Sequence, residues 1–337
     1  MRRVRSRGGR GPAAGQPRTA RHSPRRRVTG AIAGAEPRLW AVVGATGTGK
    51  SALSLDLAEA LAGRGRPAEI VNVDAMQLYR GMDIGTAKLP ASERRGIPHH
   101  LFDALEPSEE ATVAWYQPRA RAAIAEIHSG GSDAILVGGS GLYASSVLFD
   151  FRFPPRDDAL RGRLESELAA RGVDPLLERL RGIAPDVAAA VDARNPRRVV
   201  RALEVALLGG DAQVVLPEEP RPWLPGTGRT RIIGVACDRA TLVERLDRRV
   251  EAMWADGIVD EVRRLIPHGI ATGPTASRAI GYAQALAQLE GRMSADEAIA
   301  ETQSLTRRYA RKQVSWFKRY PGIAWVDGPD LAAIVLG

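Results

Sequence analysis

Short continuous apolar runs alternate along the chain with longer stretches of three-to-four-residue periodicity, a pattern that predicts an α/β architecture. Residues 39–43 read as a buried strand, followed by a glycine-rich loop and an amphipathic helix over about 50–62. The run AEIVNV (68–73) is a second strand and delivers Asp74 just past its carboxyl end, the edge where open α/β sheets bind ligands. A helix around 113–128 precedes DAILVGGSGLY (133–143), a third buried strand closed by a glycine turn at Gly138 and Gly139. The order βαβαβ implies a parallel sheet.

After FRFPPRDD (151–158) the character changes, and residues near 156–209 give arginine-rich helical stretches with no strand. These read as a helical insertion. LPEEPRPWLPGTG (216–228) is a Pro/Gly linker back, and RIIGVACD (231–238) supplies another strand. From about residue 241 the chain reads as mostly helical to its end at GIAWVDGPDLAAIVLG, with no internal repeat. The expected organisation is a tail (1–38), a core in two parts (39–153 and 229–337) and the insertion (154–228) between them.

Charge modifies this picture at one end only. The 337 residues carry a formal net charge of +9, but residues 1–35 hold ten arginines and no Asp or Glu, so the remainder balances 38 basic against 39 acidic residues. An anionic partner must therefore be met by local patches. The tail lacks apolar periodicity and a long apolar segment, so it is expected to be disordered and not a secretory signal; a transit peptide, an RNA-binding arm and a misplaced start codon stay open. One cysteine, Cys237, excludes a disulfide framework and a cysteine-rich zinc site and fits a cytoplasmic location. No run approaches the roughly 18 apolar residues of a membrane span.

The strongest chemical signal is GATGTGKS, residues 44–51. Its form, G-x-x-x-x-G-K-[S/T], lies between a strand and a helix, as a phosphate loop requires. Gly44, Ala45, Thr46, Gly47, Thr48, Gly49, Lys50 and Ser51 form the expected anion nest, with Lys50 on the outer phosphate and the Ser51 hydroxyl on Mg²⁺. Asp74 has two readings, a turn former or a carboxylate beside the phosphates that holds Mg²⁺ through water or accepts a proton. Arg249 falls inside the apolar stripe of Leu242, Leu246, Val250 and Met253, and a buried guanidinium needs an anion, either a structural partner or the bound phosphates. Along residues 301–320, Leu305, Tyr309, Trp316 and Tyr320 share one face and Arg307, Arg308, Arg311 and Lys318 the other, which suits a solvated face or a phosphate-backbone contact. Arg197, Arg198 and Arg201 crowd the start of a helix opened by Asn195, against the macrodipole. His99 and His100 read as structural.

Taken together, GATGTGKS, VDAMQLYRGMDIGTAK, PHHLFD, ILVGGSGLY, NPRRVVRALEV, IGY (280–282) and RKQVSWFKR make the chain resemble the tRNA dimethylallyltransferases, also called tRNA isopentenyl transferases, from about residue 39 to 326. The resemblance implies a P-loop NTPase-like parallel core with an inserted helical tRNA-binding domain. It also implies transfer of a dimethylallyl group from dimethylallyl diphosphate to the exocyclic amine of the adenosine 3′ of the anticodon. By the same likeness Asp74 is the base, Thr46 and Lys50 contact the diphosphate, Ser51 its Mg²⁺, and Arg249 stabilises the leaving group. Contacts to the tRNA anticodon stem-loop are implied for Asp74, Ala75, Met76, Gln77, Ser140, Arg161, Arg197, Arg198, Arg201, Arg278, Tyr282, Arg311, Lys312, Gln313, Trp316 and Lys318. A cytoplasmic monomer without membrane contact is also implied.

Three features depart from the family pattern: Ala45 stands for the common proline, Ala75 for the usual serine, and the arginine tail is extra. Ala75 puts in doubt any hydroxyl assistance beside the base. Two other classes share parts of the signal: a small-molecule kinase, and a GTP-dependent switch, for which no N-K-x-D or T-K-x-D motif is present.

Overall fold

The apolar runs at residues 39–44 and 133–138 are buried along their whole length, as strands covered on both faces must be. The computed structural model describes residues 36–150, 153–210, 221–226 and 228–327. The expectation for the arginine-rich tail lies outside these residues, apart from its last three.

In chain order the elements begin with β1 (Leu39–Gly44), α1 (Lys50–Ala62), β2 (Ala68–Asn72), β3 (His99–His100), α2 (Val113–Ser129), β4 (Asp133–Gly138) and α3 (Gly141–Leu148). Four helices follow with no strand among them: α4 (Asp158–Arg171), α5 (Asp174–Ile183), α6 (Pro185–Ala190) and α7 (Pro196–Leu207). The chain then returns through β5 (Thr230–Ala236), α8 (Arg239–Ala255), α9 (Ile258–Leu265), α10 (Tyr282–Leu289), α11 (Ala295–Phe317) and β6 (Ile323–Asp327).

The six strands form one sheet in the order β3-β2-β4-β1-β5-β6, and every neighbouring pair is parallel. Strand alternation sorts the core into two layers. Leu39, Ala41 and Val43 point with Leu136 toward Tyr116, Ile124 and Phe317 on α2 and α11, whereas Trp40 and Val42 point with Ile135 toward Leu53, Leu57 and Leu61 on α1. The loop after β1 therefore emerges at the carboxyl edge between β4 and β5, with helices on both sides.

Two strands were not expected from the sequence. β3 is two residues long and shows no period, and β6 is a half-exposed edge strand within a stretch that reads as the end of a helical segment.

The helices between residues 158 and 207 close on their own apolar cluster, formed by Leu164, Leu176, Leu177, Leu180, Val199, Val200, Ala202 and Leu203. Its polar anchor is Glu204, fully buried, which accepts from Arg161, Arg201 and the Asp157 amide. Arg201 also donates to the Pro154 and Pro155 carbonyls, so the segment that leads into α4 is tied to α7. Removing this carboxylate leaves two arginines facing apolar surroundings. Glu204→Ala is expected to destabilise the helical cluster by about 2–3 kcal/mol, with hydrogen exchange accelerating in α4 and α7 and not in β1 or β4. Uniform acceleration across both regions would refute the local anchor.

Candidate functional site

Gly49 adopts φ 91°, the left-handed backbone that favours glycine, and turns the loop into the first turn of α1. In the nest the Lys50 ammonium donates to the Ala45 carbonyl at 2.6 Å, and the Thr48 hydroxyl donates to the same oxygen at 2.9 Å. Ala45, the residue in place of the usual proline, is buried against Leu242, Leu246 and Ala310. Ser51 is exposed at the start of α1.

Asp74 is set by an Asx turn. Its amide donates to Asn72 Oδ1 at 2.9 Å, and its own Oδ1 accepts from the Met76 amide at 2.9 Å. Asn72 in turn donates to the Asp74 and Leu101 carbonyls. The turn-former reading of Asp74 is thus realised through one carboxylate oxygen; among the described residues the other accepts no hydrogen bond.

Arg249 enters from α8, whose Leu242, Leu246, Val250 and Met253 are buried as the periodicity predicts. Its guanidinium donates to Thr46 Oγ1 at 3.1 Å and to the Thr86 carbonyl at 3.4 Å. No carboxylate among the described residues pairs with it, so the structural ion-pair alternative is not what this arginine does.

Two cavities meet at these groups. The first, about 250 Å³, is lined by Thr46, Gly47, Gly49, Lys50 and Ser51 together with Asp74 and Arg249. The second, about 240 Å³, has Val250, Met253, Ile280 and Tyr309 in its wall and Arg278 beside them. Asp74, Thr86 and Arg249 line both. Ser51 and Asp74 offer oxygen donors in the first cavity, and Mg²⁺ needs only one or two protein oxygens besides phosphate and water, so the residues fit that ion. No group of three or more His, Cys, Asp or Glu that could hold a metal alone occurs among the described residues.

The charges are poised for an anion. Burial lowers the Lys50 pKa from 10.5 to about 8, helped by Arg249 and opposed by Asp74. Burial likewise lowers that of Arg249, again against the pull of Asp74.

The residues expected at RNA divide into four groups. Arg197, Arg198, Arg278, Arg311, Lys312 and Lys318 are exposed, and Ala75, Met76, Gln77 and Ser140 lie at the cavities, with Ser140 Oγ accepting from the Ala75 amide at 3.2 Å. Arg161 and Arg201 are half-buried on Glu204, and Trp316 is half-buried with its indole N–H on Ser145 Oγ. Tyr282 and Gln313 differ from expectation. Tyr282 is 0 % exposed and donates to Glu261, and Gln313 is 3 % exposed with its carboxamide on the phosphate loop, so neither side chain faces a macromolecule. Arg307, expected on a free basic face, pairs with Asp247 of α8.

Sequence reasoning did not single out Asn72 or Thr86. Asn72 stands two residues before Asp74, the spacing of an Asx contact, and Thr86 lies within the DIGTAK run.

Comparison with known proteins gives one family. The model described as IPP transferase matches residues 77–320. A tRNA dimethylallyltransferase of Clavibacter sepedonicus is 58% identical over 86% of this chain and 93% of its own length, and that of Leifsonia xyli subsp. xyli is 60% identical over 77% and 99%. Among solved structures, the tRNA isopentenylpyrophosphate transferase of Bacillus halodurans is 38% identical with a TM-score of 0.60, covering 86% of this chain and 89% of that one. A eukaryotic dimethylallyltransferase acting on tRNA is 27% identical with a TM-score of 0.69, covering 88% and 75%.

An anion in the nest restores the proton on Lys50. Affinity for sulfate, which does not itself titrate in this range, is expected to be level below pH about 8 and to fall above it by up to about tenfold per pH unit, with proton uptake on binding. Calorimetry in two buffers of different ionisation enthalpy measures both. The stability sign is opposite: across about 8 to 10.5 the unfolded chain holds the extra proton, so this group favours the folded state more as pH rises. Sulfate affinity that stays flat through this window would refute the assignment.

Proposed function

This chain belongs to the tRNA dimethylallyltransferase family, and from that premise we propose that it moves a dimethylallyl group from dimethylallyl diphosphate to the exocyclic amine of the adenosine immediately 3′ of a tRNA anticodon. The observation that supports this most directly is the sharing of Asp74 and Arg249 by two cavities, of which only the first is lined by the phosphate loop. A site with one anionic and one largely apolar chamber around a carboxylate suits a reaction that joins a diphosphate ester to a second, flat substrate.

The diphosphate takes the first cavity, on the loop amides, Lys50 and Thr46. The purine, extruded from its stack, takes the second. The amine nitrogen attacks the allylic carbon; the new C–N bond forms as the C–O bond to diphosphate breaks, and the amine proton passes to the Asp74 carboxylate. Negative charge grows on the departing oxygen, where Lys50, Arg249 and Thr46 Oγ1 supply preplaced positive charge and a hydroxyl. The Ser51 hydroxyl would hold Mg²⁺, which would supply further charge neutralisation there. Exposed arginines and lysines of α7, α11 and the segment before α10 position the RNA through its phosphates, and contacts to unstacked loop bases carry specificity. No described helix is long and apolar enough to cross a membrane; we place the reaction in the cytoplasm, on a single chain.

With labelled dimethylallyl diphosphate, Mg²⁺ and unmodified tRNA, label is expected to enter the RNA, and Asp74→Ala to slow that step by about 10²–10⁴-fold while pyrophosphate still binds. Parallel incubations with ATP and GTP test phosphoryl transfer. Nucleotide turnover without labelled RNA, or an Asp74→Ala variant as fast as the parent, overturns the proposal.

A further inference from the structure

The carboxamide of Gln313 is buried, 3 % exposed, and spans two distant parts of the chain. Its Oε1 accepts from the Thr46 amide at 2.8 Å and its Nε2 donates to the Gly139 carbonyl at 2.8 Å. The two contacts fix the amide orientation, since one partner can only donate and the other only accept. We propose that Gln313 is a positioning residue of the diphosphate site and not an RNA contact: through it α11 clamps the phosphate loop to the turn after β4. This inference rests on the proposed function.

Three further observations carry it. Thr46 is held from both sides, by Gln313 at its amide and by Arg249 at its hydroxyl, so two helices set one residue of the nest. The glycines of GGSG are shaped for α11: a Cβ at Gly139 would collide with Gln313 Nε2, and one at Gly141 would collide with the Trp316 ring. One turn earlier on the same helix, Tyr309 lines the second cavity together with Ser140, Ala75 and Asp74. Ser140 accepts the Ala75 amide, next to Asp74. α11 therefore meets the diphosphate nest through Gln313 and shares a cavity with the turn that carries the base through Tyr309, while Arg311 and Lys312 on the same helix are exposed.

Glutamine is the side chain this position requires. Glutamate would keep the acceptor for Thr46 but set a second carboxylate oxygen against the Gly139 carbonyl and bring negative charge to an anion nest. Methionine would keep the length and lose both hydrogen bonds.

The test compares Gln313→Met, Gln313→Glu and Gly139→Ala with the parent by calorimetric pyrophosphate binding, filter binding of tRNA, and steady-state KM for each substrate. Pyrophosphate binding and the KM for dimethylallyl diphosphate are expected to weaken about tenfold or more, most in Gln313→Glu, with tRNA affinity within about twofold of the parent. Gly139→Ala, whose Cβ would displace the carboxamide while residue 313 itself stays glutamine, is expected to give the same split; thermal melting and far-ultraviolet circular dichroism confirm that each variant is folded. Loss of tRNA affinity with unchanged or tightened pyrophosphate binding overturns the inference, as does no change in either. Because the pyrophosphate measurement needs no turnover, failure of the parent to label tRNA would count against the proposed function and leave the clamp separately readable.

Discussion

Two cations and one carboxylate share a cleft that withholds most of their hydration, and the imbalance among them sets what the site accepts. Lys50 and Arg249 both lose stability as cations through burial, and Asp74 is the group that opposes the loss for each. One carboxylate serving two cations leaves the cleft net positive. Lys50 donates to a loop carbonyl, a weaker partner than a phosphate oxygen. A multiply charged anion restores the balance that folding disturbs, and this requirement is independent of whether the anion carries a nucleoside or a prenyl chain.

The fold can be read as the means of holding that imbalance in place. β1 ends in the loop, β2 in Asp74 and β4 in Gly139, three adjacent strands whose carboxyl ends face one crevice. The helical layer then brings in groups the sheet edge lacks. α8 supplies Arg249, α11 supplies Gln313, and the segment before residue 88 supplies the Thr86 carbonyl that orients the guanidinium. That segment is itself fixed by Glu261, which accepts the Asp83 and Ile84 amides and the Tyr282 hydroxyl. Tyr282 thus affects the site from the core, through Glu261 and the segment that carries Thr86.

How much of this could be read from residues alone depended on whether the signal was local. The strand, loop and helix around GATGTGKS are a local pattern, and β1, α1, β2 and β4 lie where periodicity places them because each repeats its own signal over five or more residues. Arg249 was also legible, since a cation inside the stripe of Leu246 and Val250 contradicts its own helix face. β3 and β6 were not, because they borrow their hydrogen bonds from β2 and β5 and carry too few apolar positions to show a period. Gln313 and Tyr282 were placed at RNA by motif resemblance, yet what each touches is decided by partners far along the chain, 267 positions away for Gln313 and Thr46. Contacts of that separation leave no trace in a window of neighbouring residues. Gly139 was visible only as a turn former, although its missing Cβ is what admits the glutamine.

The same separation of local and distant effects applies to the arginines. With the folded part near neutral, attraction of a polyanion depends on which basic side chains are free of protein carboxylates. Arg161 and Arg201 share Glu204, and Arg307 is paired with Asp247, so each of these contributes less net field than its charge suggests. Arg197 and Arg198 at the start of α7, Arg278 beside the second cavity, Arg311 and Lys312 on α11, and Lys318 just past its end are exposed, and none takes part in a protein ion pair among the described residues. On the proposed reading these six set the salt dependence of RNA binding, because each phosphate they neutralise releases counterions. Glu204 then acts in the opposite sense, keeping two arginines fixed and partly neutralised so that the helical cluster can pack beside the core without excess repulsion. Paired arginines give this surface its shape, and unpaired ones give it its charge.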